Sequence, residues 1–406
     1  MPLLLTIFHY ALWAVGIFLL LNCLYLLFFS VMGHRRRPLP PTADTALRRM
    51  AVLIPAYRED AVILDTARQA VAHAYAGPAQ VIVVADGLQP ATLHTLRQLG
   101  AAVVEVTFER STKGKALLHA LTELPANAYD VAVVLDADNL MGPGCLASIN
   151  AAFGAGYRVV QTHRTAKNQG TAFAFLDACN EEINNHIYRQ GPWAVGLSSA
   201  LIGSGMAFDY GYLRQLLAGI GETVGEDKEL DFRVARDGHK IAYLDRVYTY
   251  DEKIENAQVF TQQRTRWLAS QLEFLKKYAG EGVRQLVQHG NVEFFHKALQ
   301  TFLVPRTLLM GVLGLFFLVS LVLPVGPPVL FWAGLLGLLA VALFGALPAR
   351  LYNRQLAQAL VRLPYAIWCM CLALLRVRRT KTSFLATPHR VQAPVAHLEN
   401  HPHHAV

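Results

Sequence analysis

The chain is 406 residues long and 53% apolar, with a mean hydropathy of +0.30, too long for one ordinary domain and too apolar for a wholly soluble protein. Its formal net charge of +8 calls for no nucleic acid, because much of the excess lies in basic clusters that flank apolar stretches. Five cysteines, Cys23, Cys145, Cys179, Cys369 and Cys371, lack zinc-ligand spacing and read as reduced packing residues.

Residues 1–33 hold no Asp, Glu, Lys or Arg and are followed at once by His34-Arg35-Arg36-Arg37. The stretch is long enough to cross a bilayer and lacks the basic start and cleavage site of a signal peptide. It reads as an uncleaved anchor with its N-terminus outside. A basic, Pro-containing linker covers 34–49. Between 50 and 265, apolar runs at Met50–Ile54, Gln80–Ala85, Ala102–Thr107 and Val131–Leu135 alternate with helical patterns around Ala61–Ala74, Pro90–Leu99 and Lys115–Leu124. This alternation predicts an α/β domain with a doubly wound, mostly parallel sheet.

The fourth run leads into Asp136-Ala137-Asp138-Asn139. A continuous apolar run is a strand buried on both faces, and open α/β sheets bind ligands beyond the carboxyl ends of their strands. Alternate residues of an extended chain point the same way, so Asp136 and Asp138 can share one target, and a divalent cation carrying phosphates suits two carboxylates. A turn or helix cap is the competing reading. The first run ends in Pro55-Ala56-Tyr57-Arg58-Glu59-Asp60 and the second in Asp86-Gly87, so three acidic clusters meet at one edge. Lys113 and Lys115 flank Gly114 at a helix start, which suits either an anion or ordinary solvation. Glu226-Asp227 opens a charged stretch, Gly225–Asp231. It reads as a general base or as a helix cap, and on the sequence alone Glu229 or Asp231 competes for the base.

Taken in order, Pro-Ala-Tyr-Arg-Glu at 55–59, Asp86-Gly87, Lys113-Gly114-Lys115, Asp136-Ala137-Asp138, Gly225-Glu226-Asp227 and Gln263-Arg264-Thr265-Arg266-Trp267 resemble the motifs of family 2 glycosyltransferases. The resemblance is to their membrane-embedded branch, which includes cellulose, chitin, hyaluronan and poly-N-acetylglucosamine synthases. It implies inverting transfer from a UDP-sugar. Ala56, Tyr57, Glu59 and Asp86 would hold the nucleoside, and Lys113 and Lys115 the diphosphate. Asp136 and Asp138 would bind Mg²⁺ or Mn²⁺, and Asp227 would be the base. Gln263 and Arg266 would meet the leaving diphosphate, and Trp267 would stack on the acceptor sugar. The segment Ile202–Phe208 is similar to the family's glycine-containing acceptor segment, placing Gly203, Ser204 and Gly205 at the acceptor, where the resemblance through Gly225-Glu226-Asp227 also puts Glu226. Ser383–His389 is similar to the gating loop of cellulose synthases, with Phe384, Thr387 and, at the basic position, His389.

Downstream, 266–302 has the mixed basic and aromatic character of interfacial helices. The uncharged block Thr307–Ala349, broken at Pro324-Val325-Gly326-Pro327-Pro328, predicts a transmembrane hairpin over 303–349, with spans near Thr307–Leu323 and Val329–Leu347. Arg362 and Pro364 interrupt Leu356–Leu375, so 350–380 reads as interfacial or re-entrant. The segment 381–406 combines the gating-loop likeness with a His-rich tail expected to be disordered. The expectation is therefore a multi-pass enzyme of a bacterial inner membrane that processively extends a β-linked polysaccharide and passes it toward the bilayer. About three spans are few for a channel, so a homo-oligomer or partner subunit would complete it. Two other readings stand beside it: a transferase adding one sugar to a lipid-linked acceptor, and an inactive nucleotide-sugar-sensing subunit of a secretion complex.

Overall fold

A computed structural model describes residues 3–221, 223, 225–253 and 257–377. The gating-loop candidates Phe384, Thr387 and His389 and the His-rich tail lie outside them. In chain order, α1 (Leu3–Met32) leads through the linker to β1 (Met50–Tyr57), α2 (Ile63–Val71), β2 (Ala79–Asp86), α3 (Pro90–Gln98), β3 (Ala102–Val106), α4 (Lys113–Glu123) and β4 (Val131–Val134). There follow β5 (Leu140–Met141), α5 (Cys145–Gly154), β6 (Val159–Ala166), α6 (Ala172–Asn184), a π-helical turn (Asn185–Gln190) and the short α7 (Gly191–Ala194). The domain continues with β7 (Met206–Asp209), α8 (Tyr210–Ala218), α9 (Glu226–Arg236) and β8 (Ile241–Asp251). The C-terminal helices are α10 (Ala257–His289), α11 (Val292–Thr301), α12 (Arg306–Ser320), α13 (Val329–Gly345), α14 (Arg354–Val361) and α15 (Leu363–Val377).

The strands form one sheet in the order β3-β2-β1-β4-β7-β6-β8-β5. Its first half is parallel, as the alternation predicted, and β6 also runs parallel to β8. The pairs β4-β7, β6-β7 and β5-β8 are antiparallel, so the sheet is mixed, with parallel pairs in the majority. The continuous apolar runs are explained by burial on both faces. Val52 and Ile54 of β1 pack with Ile63, Ala67 and Ile149 from α2 and α5, while Ala51 and Leu53 pack with Leu117, Leu121, Leu213 and Leu217 from α4 and α8. Since Leu53 is 0% exposed at the centre of this second layer, Leu53→Ala is expected to lower stability by roughly 2–5 kcal/mol, read from denaturation of the purified protein.

Helix α1 is long and apolar enough to cross a membrane by length and composition. It packs through Leu19, Cys23, Leu26 and Phe29 against Leu309 and Leu313 of α12 and Trp332, Leu335 and Leu339 of α13. Inside this contact Ser30 Oγ donates to Ala342 O at 2.7 Å. The two predicted hairpin spans are the 15-residue α12 and the 17-residue α13, each short for a bilayer taken alone. Helices α11 and α12 together satisfy the same length and composition, bent by 55°, as do α14 and α15, bent by 46°. Between α12 and α13 the chain turns through Gly326, whose φ is +85°. Helix α10 is continuous for 33 residues, so the predicted boundary at 265 falls inside it.

Candidate active site

A cavity of about 600 Å³ opens beyond the carboxyl ends of β1, β2 and β4, where the parallel half of the sheet ends. Ala56 and Tyr57, at the end of β1, and Glu59 just beyond it line the cavity. Arg58 between them has φ +55°, the one positive value at a non-glycine residue among the described residues. It is held there because its N–H donates to Asp86 O at 2.9 Å and its guanidinium lies 5.2 Å from the Tyr57 ring. Asp86, at the end of β2, is 6% exposed, lines the cavity, and leaves Oδ2 buried without a hydrogen-bond partner among the described residues.

Asp136 and Asp138 follow β4, and both line the cavity. Asp136 Oδ1 accepts from Lys113 Nζ, which also donates to Gly203 O at 2.5 Å. Asp138 is 5% exposed; its Oδ2 accepts from Glu252 N at 3.3 Å and its carbonyl from Lys167 Nζ at 2.8 Å. Among the described residues no three His, Cys, Asp or Glu side chains form a closed metal cage. Two carboxylates facing an open cavity are the oxygen donors that Mg²⁺ or Mn²⁺ uses when substrate phosphates complete its shell, so the donor set fits such an ion.

Gly203, Glu226 and Asp227 meet Lys113 across the cavity floor. Gly203 has φ +85°, and a methyl there would sit 3.7 Å from both Asp227 Oδ2 and Lys113 Nζ. Glu226 and Asp227 begin α9, whose N-cap Gly225 offers no side-chain cap. Asp227 Oδ1 accepts from Lys228 N at 2.8 Å. Burial, reinforced by Asp227, pushes the Glu226 carboxyl up to about 7. Burial works against the Lys113 ammonium, but Asp136 and then Glu226 hold its pKa above the ordinary lysine value. The folded protein thus keeps on Glu226 a proton that the unfolded chain releases. The Glu226 contribution to stability is full below the ordinary value of 4.5 and is lost as pH rises toward 7. Thermal melts at several pH values are expected to show this decline, and Glu226→Gln to flatten it.

Gln263, Arg266 and Trp267 line the cavity from α10. Gln263 Oε1 is buried without a hydrogen-bond partner among the described residues. Burial lowers the Arg266 pKa, with Glu226 and Asp227 pulling it back. Trp267 is 39% exposed and stacked on one face by Arg264, 4.2 Å away, which in turn donates to Asp177 Oδ1 at 2.5 Å.

Three predicted residues stand apart from the lining. Thr112 caps α4 by accepting from Lys115 N, which makes Lys113 and Lys115 the first and third helical residues. Two positions along an α-helix is about 200° around it, so the two lysines cannot face one target; Lys115 Nζ lies 3.5 Å from Arg110 O instead. Ser204 is fully buried, accepting from Asp136 N at 3.0 Å. Gly205, at φ +63°, passes so close to Thr249 that a methyl would come within 2.5 Å of its Oγ1. Both residues shape the wall behind Gly203.

The inner wall escaped the sequence reading. Arg164 donates to Ile202 O at 3.1 Å and to Glu181 Oε2 at 2.9 Å, and its Nε lies 3.3 Å from Asp251 Oδ2. Lys253 lies 2.8 Å from Asp251 Oδ2 and 3.6 Å from Glu181. Burial favours a protonated Glu181, yet Arg164, Lys253 and Arg189 hold it well below the usual carboxylate range. The available signal was a polar stripe: Asp177, Glu181, Asn184 and Tyr188 recur at intervals of four, three and four residues, and all line the cavity.

A mixed α/β sheet with carboxylates and cations gathered beyond the carboxyl ends of its parallel strands is suited to a phosphate-bearing ligand. The chain belongs to the family described as glycosyltransferase like family 2, whose profile matches residues 48–270, more than half its length. It is a nucleotide-sugar transferase of that family. A search of the curated proteins found no match. Among solved structures, the mannosyltransferase PcManGT from Pyrobaculum calidifontis, in complex with GDP-Man and Mn²⁺, is 16% identical with a TM-score of 0.55, covering 92% of this chain and 99% of its own. That likeness shows the GT-A-like fold. Glucosyl-3-phosphoglycerate synthase from Mycobacterium tuberculosis, with Mn²⁺, UDP and glucosyl-3-phosphoglycerate, is 20% identical. It covers 57% of this chain and 84% of its own, at a TM-score of 0.37.

Proposed function

We infer that this chain is an inverting, metal-dependent glycosyltransferase of a bacterial cytoplasmic membrane, taking a sugar from a UDP-sugar and adding it to a growing β-linked polysaccharide, processively and toward the bilayer. The observation that carries the reading is the convergence of Asp136 and Asp138, Lys113, Asp227, Arg266 and Trp267 on one cavity.

Asp86 Oδ2 is a buried acceptor suited to a base N–H, and Tyr57 and Glu59 complete the nucleoside end. Asp136 and Asp138 would hold Mg²⁺ or Mn²⁺, whose chemistry here is to neutralise diphosphate charge. An acceptor oxygen then attacks the anomeric carbon, the bond from that carbon to the nucleotide diphosphate breaks, and the acceptor proton passes to Asp227 Oδ2. Lys113 and Arg266 stabilise the charge that develops on the leaving diphosphate.

Trp267, Ser270, Gln271, Phe274, Gln300 and Thr301 also line the cavity, uncharged side chains with two aromatic rings among them, which suits a sugar ring and its hydroxyls. Trp267→Ala is accordingly expected to raise the acceptor KM about 10-fold and shorten products, while donor binding is unchanged. A lipid-linked acceptor receiving one sugar is favoured by a different observation: Leu303, Val304 and Pro305, at the elbow between α11 and α12, also line the cavity. Release of UDP by the full chain in lipid nanodiscs, with a panel of UDP-sugars and Mn²⁺ or Mg²⁺, tests the reading when products are sized. Long polymer from one donor supports the synthase, and single additions the lipid acceptor. No turnover with any donor overturns both.

A further inference from the structure

The two acids at the start of α9 are followed, one turn later, by Asp231, which sits on the same helical face as Asp227. Asp231 is fully buried, and so is the residue it meets, Lys297 of α11, with Nζ 2.9 Å from Asp231 Oδ1. Neither residue lines the cavity, and no step of the transfer uses the pair. Its partners nevertheless tie three separate pieces of chain together. Lys297 Nζ also donates to Ser199 O, and Asp231 Oδ1 also accepts from Leu201 N at 3.4 Å. One turn earlier on α11, Glu293 Oε2 accepts from Ser198 N at 2.8 Å. The segment gripped in this way runs on to Gly203, whose carbonyl holds Lys113 and whose α-carbon faces Asp227. Lys228, 3.5 Å from Asp231 Oδ2, is one further charge beside the pair, with Glu293 acting on Lys297 and Arg189 on Asp231.

A buried ion pair is poor evidence for stability as such, because an apolar pair of similar size usually does as well or better. What an ion pair imposes is register, since sliding one partner leaves a charge buried and unsatisfied. We propose that Lys297 is a positioning residue: through Asp231 and Ser199 it fixes α9 and the Ser198–Gly203 segment against α11, and so sets the Asp227 carboxylate against Gly203 where the acceptor hydroxyl is deprotonated. The inference rests on Asp227 being the base.

The test compares two double variants of the full chain in nanodiscs, with Asp227→Asn run alongside. Asp231→Leu/Lys297→Met replaces the pair with apolar side chains, and Asp231→Asn/Lys297→Gln keeps a hydrogen-bonded link without charge. The apolar double is expected to melt near the wild-type temperature with donor KM unchanged, while kcat falls roughly 10- to 100-fold, the effect of misplacing a reacting group by about 1 Å. The polar double is expected to stay within about 3-fold of wild-type kcat, since its link is preserved. Wild-type kcat in the apolar double overturns the proposal. So does an apolar double that melts far below wild type, because the pair would then serve stability rather than placement. Full activity in Asp227→Asn would instead remove the base assignment itself.

Discussion

Asp227→Asn lowers the rate of sugar transfer by roughly 10³-fold and leaves the donor KM unchanged, the expected cost of deleting a general base while keeping its shape. The asparagine still accepts from Lys228 N, which Asp227 Oδ1 engages at 2.8 Å, so the start of α9 keeps its geometry. What it cannot do is take a proton at the oxygen that faces Gly203. Glu226 provides the control. Its carboxyl is pushed up to about 7 by burial and by Asp227, which is itself a property of a proton acceptor near neutral pH. Steady-state UDP release from both variants settles the choice: a dead Glu226→Gln beside an active Asp227→Asn would move the base by one residue.

Asp138→Asn is expected to lower kcat/KM for the donor by roughly 100-fold and to raise the Mn²⁺ concentration needed for half-maximal turnover. Asp138 is nearly buried, and its Oδ2 already receives the Glu252 N–H, so the amide that replaces it loses charge without gaining room. A Mn²⁺ titration of UDP release reads the effect directly. Chelation with EDTA should abolish turnover of the wild type and Mn²⁺ should restore it; full turnover in the chelator sinks the metal assignment to Asp136 and Asp138.

Much of the domain was legible because burial on both faces leaves an unmistakable apolar run. β1, β2 and β4 each read that way, and the Asp-x-Asp pair is legible for the same reason, since it interrupts such a run at its carboxyl end. The mixed topology was not. β5 has two residues and β7 four, too few for any periodicity, and their direction is set by long connections rather than by local preference. Lys115 was misplaced because two lysines around a glycine look equivalent until the Thr112 cap fixes which is the first helical residue. Lys297 was invisible for another reason: a lone lysine among aromatic and apolar residues reads as an interfacial side chain, and only the tertiary fold brings Asp231 to it.

The unbroken course of α10 has a mechanical consequence. At 1.5 Å per residue, its 33 residues make a rod about 50 Å long, with Gln263, Arg266 and Trp267 all riding on one stretch of it. The cation suited to the departing diphosphate and the aromatic face suited to the acceptor are therefore not independently adjustable; a tilt or rotation that loosens one loosens the other. A single residue inserted just after Trp267 would turn that trio by about 100° relative to the remainder of the rod, Leu268–His289. Grip on the product and release of the nucleotide would then fail in the same stroke, through a change that removes no chemical group from the cavity.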